Sequence, residues 1–83
     1  MAATYDRDSI RTALALADPA ISSYLDLETG AVVAVDASDE GPAMQQLSNQ
    51  VMDGYGDRYR YIPGGNSAVD DTAITQWLES EGL

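Results

Sequence analysis

Two short runs of residues flank Glu28-Thr29-Gly30-Ala31, and their spacing dictates a β-hairpin over Ser23 to Asp36. In the first run Ser23, Leu25 and Leu27 alternate with Tyr24, Asp26 and Glu28. That period of two predicts a strand with one apolar and one wet face. Gly30 supplies the positive φ of a tight turn, either a type I turn with a glycine bulge or a type II turn. The return run, Ala31-Val32-Val33-Ala34-Val35, is apolar at every position. A strand of that kind is expected at the centre of a sheet, flanked on both sides and covered on both faces.

The remaining chain reads as three helices and one more strand. Asp8 is a good N-cap for a helix whose apolar stripe is Ile10, Ala13, Leu14 and Ala17, and Pro19 stops it. Ser38-Asp39-Glu40-Gly41-Pro42 carries a second helix start, with Met44, Leu47, Val51, Met52 and Tyr55 as its buried stripe and Gly54 or Gly56 at its end. From Asp57 to Ile62 the alternation resumes, placing Tyr59 and Tyr61 on one face and Arg58, Arg60 and Ile62 on the other. Ser67 to Asp70 has the form of a capping box, and the helix behind it buries Val69, Ala73, Ile74, Trp77 and Leu78 up to Gly82. The predicted fold is α+β, a three-stranded, mostly antiparallel sheet with three helices in the order α-β-β-α-β-α. At 83 residues there is room for one domain, residues 1–83, around one core.

Composition narrows the chemistry. The chain has neither Cys nor His, so disulfides, thiolate metal sites, cysteine nucleophiles and the commonest general base are all excluded. Without Phe, and with one Trp, the core must come from small side chains, and self-association as a homodimer is the expected way to bury more surface. No apolar run approaches the roughly 18 residues that span a bilayer. The opening stretch Met1 to Asp8 lacks the regions of a signal peptide, so the expected location is the cytoplasm and no membrane partner is expected. Fourteen acids against four Arg and no Lys give a net charge of −10. Such a surface repels phosphate backbones and reads first as a solvated face tuned to a salty cytoplasm or a GC-rich genome, with clamping of a basic protein partner or mimicry of nucleic acid as the sharper alternative.

Four segments invite a site. Asp36 to Gly41 has the oxygen ligands of a calcium loop but not its alternation, and Leu47 stands where the closing Glu belongs, so a capped helix start is expected and no metal. Asp26 and Glu28 lie two apart on one strand face, the spacing of an acid-base pair, but solvated strand acids have the same spacing. Tyr55 to Tyr61 gathers two of the four arginines and three of the five tyrosines. Interleaved Arg and Tyr can stack bases, yet Arg58 and Arg60 are also natural cross-strand partners for Asp26 and Glu28. Gly64-Gly65 lacks the Lys and the full spacing of a phosphate loop. Trp77 reads as core, while Tyr24 is a candidate for a partner surface.

The hairpin Tyr24-Leu25-Asp26-Leu27-Glu28-Thr29-Gly30-Ala31-Val32-Val33, followed by Arg58-Tyr59-Arg60-Tyr61-Ile62-Pro63, resembles uncharacterised-protein family 0158. Asp70-Asp71 and Trp77-Leu78 stand where that family has an acidic helix with an aromatic near its end, whereas Ala31 stands where an acid is common. The resemblance spans Ile10 to Leu78 and implies a small bacterial α+β protein with no assigned activity.

The residues together predict a non-catalytic interaction or regulatory module that self-associates, with no cofactor. Its expected contact residues are Tyr24, Asp26, Glu28, Arg58, Tyr59, Arg60 and Tyr61. A cation-dependent enzyme using carboxylates is the alternative, and nucleic-acid binding through the Arg/Tyr strand stands behind both.

Overall fold

Asp6 opens the first helix because its carboxylate accepts from both the backbone N–H and the hydroxyl of Ser9, at 3.2 and 2.8 Å. The computed structural model describes Thr4–Leu83; Met1 to Ala3, the beginning of the stretch read for a signal peptide, lie outside the described residues. Its elements are α1 (Arg7–Ala15), β1 (Ile21–Asp26), β2 (Val32–Asp36), α2 (Pro42–Asp53), β3 (Tyr59–Ile62) and α3 (Asp71–Ser80). This is the α+β fold in the order α-β-β-α-β-α. Asp8, expected as the cap, stands instead in the first turn, where it pairs with Arg11 at 3.0 Å. Ala17 falls beyond the helix and is exposed.

The sheet is antiparallel throughout, in the order β2-β1-β3. Its centre is β1 and not the apolar return strand. The chain brings β3 back beside β1, pairing Tyr24 with Tyr61 and Leu25 with Arg60, so among the described residues β2 keeps one free side. A second expectation falls with the first. Tyr24 and Asp26 are buried, so neither face of β1 is wet along its second half.

Helices lie on both faces. On one, Ile10, Ala13 and Leu14 of α1 and Ile74 and Leu78 of α3 close over Leu25 and Ile62, with Trp77 half-buried at the margin. On the other, Val51 and Leu47 of α2 cover Tyr24, Tyr59, Val33 and Val35. Met52 and Tyr55, expected in the buried stripe of α2, are each 56% exposed. Val51 takes the one inward position of the last turn, and Gly54 ends the helix before Tyr55 could join the stripe. At α3 the capping box is absent, because Asp70 is itself the N-cap and accepts from the N–H of Ala73 at 2.9 Å. Gly82, at φ +76°, ends this helix as its position suggests.

The hairpin turn holds the start of the chain. Gly30 has φ +80°, and its carbonyl accepts from the N–H of Asp6 at 2.8 Å. A Cβ at position 30 would stand 2.1 Å from the carbonyl oxygen of Thr4, so both the φ and the space require glycine. The turn is one residue wider than either expected type, since the Gly30 N–H donates to the carbonyl of Asp26, four residues back.

Candidate functional site

Asp26 ends β1 opposite Tyr59 and is 4% exposed. Arg58 stands in the turn just before β3, free of the strand's pleat, and its guanidinium swings onto the Asp26 face. Nε and Nη2 donate to Asp26 Oδ1 and Oδ2, each at 3.0 Å, in a bidentate fork. The N–H of Glu28 donates to the same Oδ1 at 2.9 Å, and the Glu28 carboxylate approaches Arg58 Nε at 3.3 Å. The bond from Arg58 holds the Asp26 carboxyl below the usual carboxylate range, against the opposing effect of burial. In return, the bond to Asp26 raises Arg58 above its ordinary value. Asp26 is therefore locked in its ionised form, the reverse of what a general acid needs.

Arg60 does not join this cluster. It points to the α3 side of the sheet, where Nη1 donates to the carbonyl of Glu81 at 3.2 Å and lies 3.8 Å from the Glu81 carboxylate. Its Nε is buried with no hydrogen-bond partner among the described residues. The expected four-residue charge cluster thus becomes a triad of Asp26, Glu28 and Arg58, with Arg60 serving the opposite layer.

The tyrosines divide by how far α2 reaches. Tyr59 is buried beneath it, with Gln50 Nε2 donating to its hydroxyl and the Arg58 guanidinium 5.2 Å from its ring centre. Tyr24 is also covered, but its ring forms the floor of an open aromatic surface. Tyr55 meets it edge-on at 6.2 Å, and Tyr61 lies tilted by 60° at 5.7 Å. Tyr61 is 44% exposed, so the alternation that put it on the Tyr59 face was right while its burial differs. Tyr55, Tyr61 and Met52 are the exposed large apolar side chains among the described residues.

A second feature was not legible in the sequence as a site. Within β2, Val33 and Val35 turn their backbone groups toward β1, as the bonds Asp26 N–H to Ala31 and Ala37 N–H to Ala20 fix the alternation. The N–H and C=O of Val32 and Ala34 consequently face outward along the free edge. Neither Lys nor Pro guards it. Beside this edge, an open groove of about 540 Å³ runs between Thr12 of α1 with the capping residue Leu16 and Ser23, Val32 and Ala34 of the sheet.

Gly64 and Gly65 serve α1, not a phosphate. The Gly65 N–H donates to the carbonyl of Leu16 at 2.6 Å and the Asn66 N–H to that of Leu14 at 3.0 Å, satisfying the C-terminal end of the helix, whose dipole repels anions. Asp36, Asp39 and their neighbours bond within their own loop, Asp36 to Ser38 and Asp39 to the N–H of Gly41, where α2 begins with Pro42. Among the described residues, no three acids converge as a metal site. No helix of the described residues is long and apolar enough to cross a membrane. Comparison with family models, curated proteins and solved structures gave no match. The resemblance in the hairpin and the Arg58–Pro63 strand therefore rests on those residues alone.

Proposed function

We propose that the chain is a non-catalytic interaction module that self-associates by pairing β2 with β2 of a second copy. One observation carries the reading: a strand with the composition of a sheet centre lies at a free edge. Val32, Val33 and Val35 remain half-exposed in the single chain, and a neighbouring strand would complete the environment their sequence suits.

The edge is self-complementary under a two-fold axis at Ala34. That register sets Ala34 against Ala34 of the other copy, Val33 against Val35 and Val32 against Asp36, forming a continuous six-stranded sheet. The Asp36 N–H, which now donates weakly to Met44 Sδ at 3.4 Å, exchanges that sulfur for a carbonyl. The two Asp36 carboxylates end about 14 Å apart, four residues along a strand, beyond the Debye length of about 8 Å at physiological salt. Overall repulsion between two chains of net charge −10 remains, so added salt tightens the dimer.

Sedimentation velocity across a concentration series tests this, with Ala34→Glu placing two carboxylates face to face. The expected result is a monomer–dimer equilibrium in the parent and a dissociation constant at least tenfold higher in the variant. Thr72→Glu, the same charge change on α3, leaves it unchanged. Because the chain has no cysteine, Ala34→Cys gives an independent readout. An antiparallel bonded pair sets Cα atoms about 5.5 Å apart, within disulfide reach, so this variant cross-links faster than Thr72→Cys. A monomer at every concentration, or equal cross-linking of the two variants, overturns the proposal.

A further inference from the structure

We infer that the open tyrosine surface formed by Tyr55 and Tyr61 over Tyr24 docks an arginine-bearing segment of a partner protein. This goes beyond self-association and uses the opposite side of the sheet, where β3 and not β2 forms the edge.

Charge complementarity selects the occupant. Each of the chain's four arginines is engaged internally: Arg7 with Thr75 and the carbonyl of Asp71, Arg11 with Asp8 and Asp71, Arg58 with Asp26 and Glu28, and Arg60 with Glu81. Nine of the fourteen acids have no arginine beside them. Two of the nine, Asp53 and Asp57, bracket Tyr55 in the chain, and both are exposed. Aromatic side chains open to solvent thus stand in a strongly acidic chain, with an exposed acid two residues away in sequence on either side of Tyr55. A guanidinium is the side chain that satisfies both, stacking on a tyrosine ring while its edge donates to a carboxylate. Lysine, a compact and strongly hydrated charge, gains less from the rings, and a neutral apolar segment gains nothing from the acids.

The edge of β3 adds a backbone element. Bonding between the Leu27 N–H and the Arg58 carbonyl at 2.8 Å fixes the alternation that directs the backbone of Arg60 and Ile62 toward β1, which turns the N–H and C=O of Tyr61 outward. An extended segment lying along Tyr61 therefore meets a donor, an acceptor and an aromatic face within one residue. Tyr59, by contrast, spends its outward groups on the turn, its N–H on Gly54 and its carbonyl on Gly56.

Calorimetric titration with three Gly/Ser peptides, carrying three arginines, three lysines or three leucines, tests the inference on the full chain. The arginine peptide is expected to bind several-fold tighter than the lysine peptide, the leucine peptide not measurably, and the affinity to fall as salt rises. Tyr55→Ala/Tyr61→Ala, which leaves the net charge unchanged, is expected to weaken the arginine peptide at least fivefold. Asp53→Asn/Asp57→Asn weakens it more than Asp39→Asn/Glu40→Gln, although each pair removes two charges. Ala34→Glu binds it as the parent does, which separates this surface from the β2 edge. Should the tyrosine variant melt early, NMR of the parent gives the same answer, with Tyr55 and Tyr61 ring protons shifting before those of Tyr5. Unchanged affinity in the tyrosine variant, equal loss in the two charge pairs, or equal binding of the leucine peptide overturns the inference.

Discussion

Asp26→Asn changes one buried atom from oxygen to nitrogen and tests what the Asp26–Arg58 fork contributes. In the parent the carboxylate accepts two guanidinium bonds at 3.0 Å and one backbone bond at 2.9 Å. An asparagine oxygen retains one side of this arrangement, but its NH₂ faces an Arg58 donor, so one charge-assisted bond is lost, worth about 1.5–3 kcal/mol. Arg58 retains solvent and the Glu28 carboxylate at 3.3 Å as alternatives, which offsets part of the loss. The expected cost at pH 7 is about 2 kcal/mol, against roughly 4–12 kcal/mol for a whole domain of this size. With a urea m-value of about 1 kcal/mol/M, the midpoint falls by about 2 M. The pH dependence has a definite sign. Asp26 is depressed in the fold below its ordinary 3.8, so its extra stability is present above about pH 4 and lost as the pH falls through the folded value. Parent and variant therefore converge as the pH falls through that lowered value. A difference under about 0.5 kcal/mol at pH 7, or one that stays constant to pH 2.5, refutes the reasoning.

Gly30→Ala is expected to cost at least about 2 kcal/mol in urea melts, combining the left-handed backbone with a 2.1 Å approach to the Thr4 oxygen. Gly64→Ala and Gly65→Ala separate space from strain. A Cβ at Gly64 meets the Leu16 oxygen at 2.1 Å, whereas Gly65 has φ +83° but open space. The first is therefore the more damaging, and the second costs about 1–2 kcal/mol. Leu25→Ala, at a fully buried position of the central strand, lowers stability by about 2–5 kcal/mol. Met52→Ala stays within about 0.5 kcal/mol, as its side chain is largely in solvent.

Local periodicity carried the fold order because each element has its own signature: the Gly30 turn, the Ile10 to Leu14 stripe, and the break at Gly54 before the Tyr59 strand. What it could not carry is which strand pairs with which. Ala31 to Val35 has the composition of a sheet centre, but β3 joins β1, and that choice depends on where α2 returns the chain. The charge cluster was half legible for the same reason. Asp26 and Arg58 were identifiable as partners, whereas Arg60 is drawn away by Glu81, 21 residues later in the sequence. Capping was misplaced by a short distance at both α1 and α3, since several acids compete there and only geometry shows which one bends back to an N–H. The tyrosine surface was hidden by treating Tyr55 as a helix residue. Gly54 and Gly56 on either side of it were the available signal that it had left the helix.

The outward and inward alternation along β2 makes its backbone amides report individually on hydrogen exchange. In a single chain, Val33 and Val35 exchange slowly because their N–H groups are bonded to β1, while Val32 and Ala34 exchange quickly beside them. Pairing of two copies slows Val32 and Ala34 and leaves Val33 and Val35 as they were. A strand of five residues thereby records, at single-residue resolution, whether the sheet ends at its own edge or continues into another molecule.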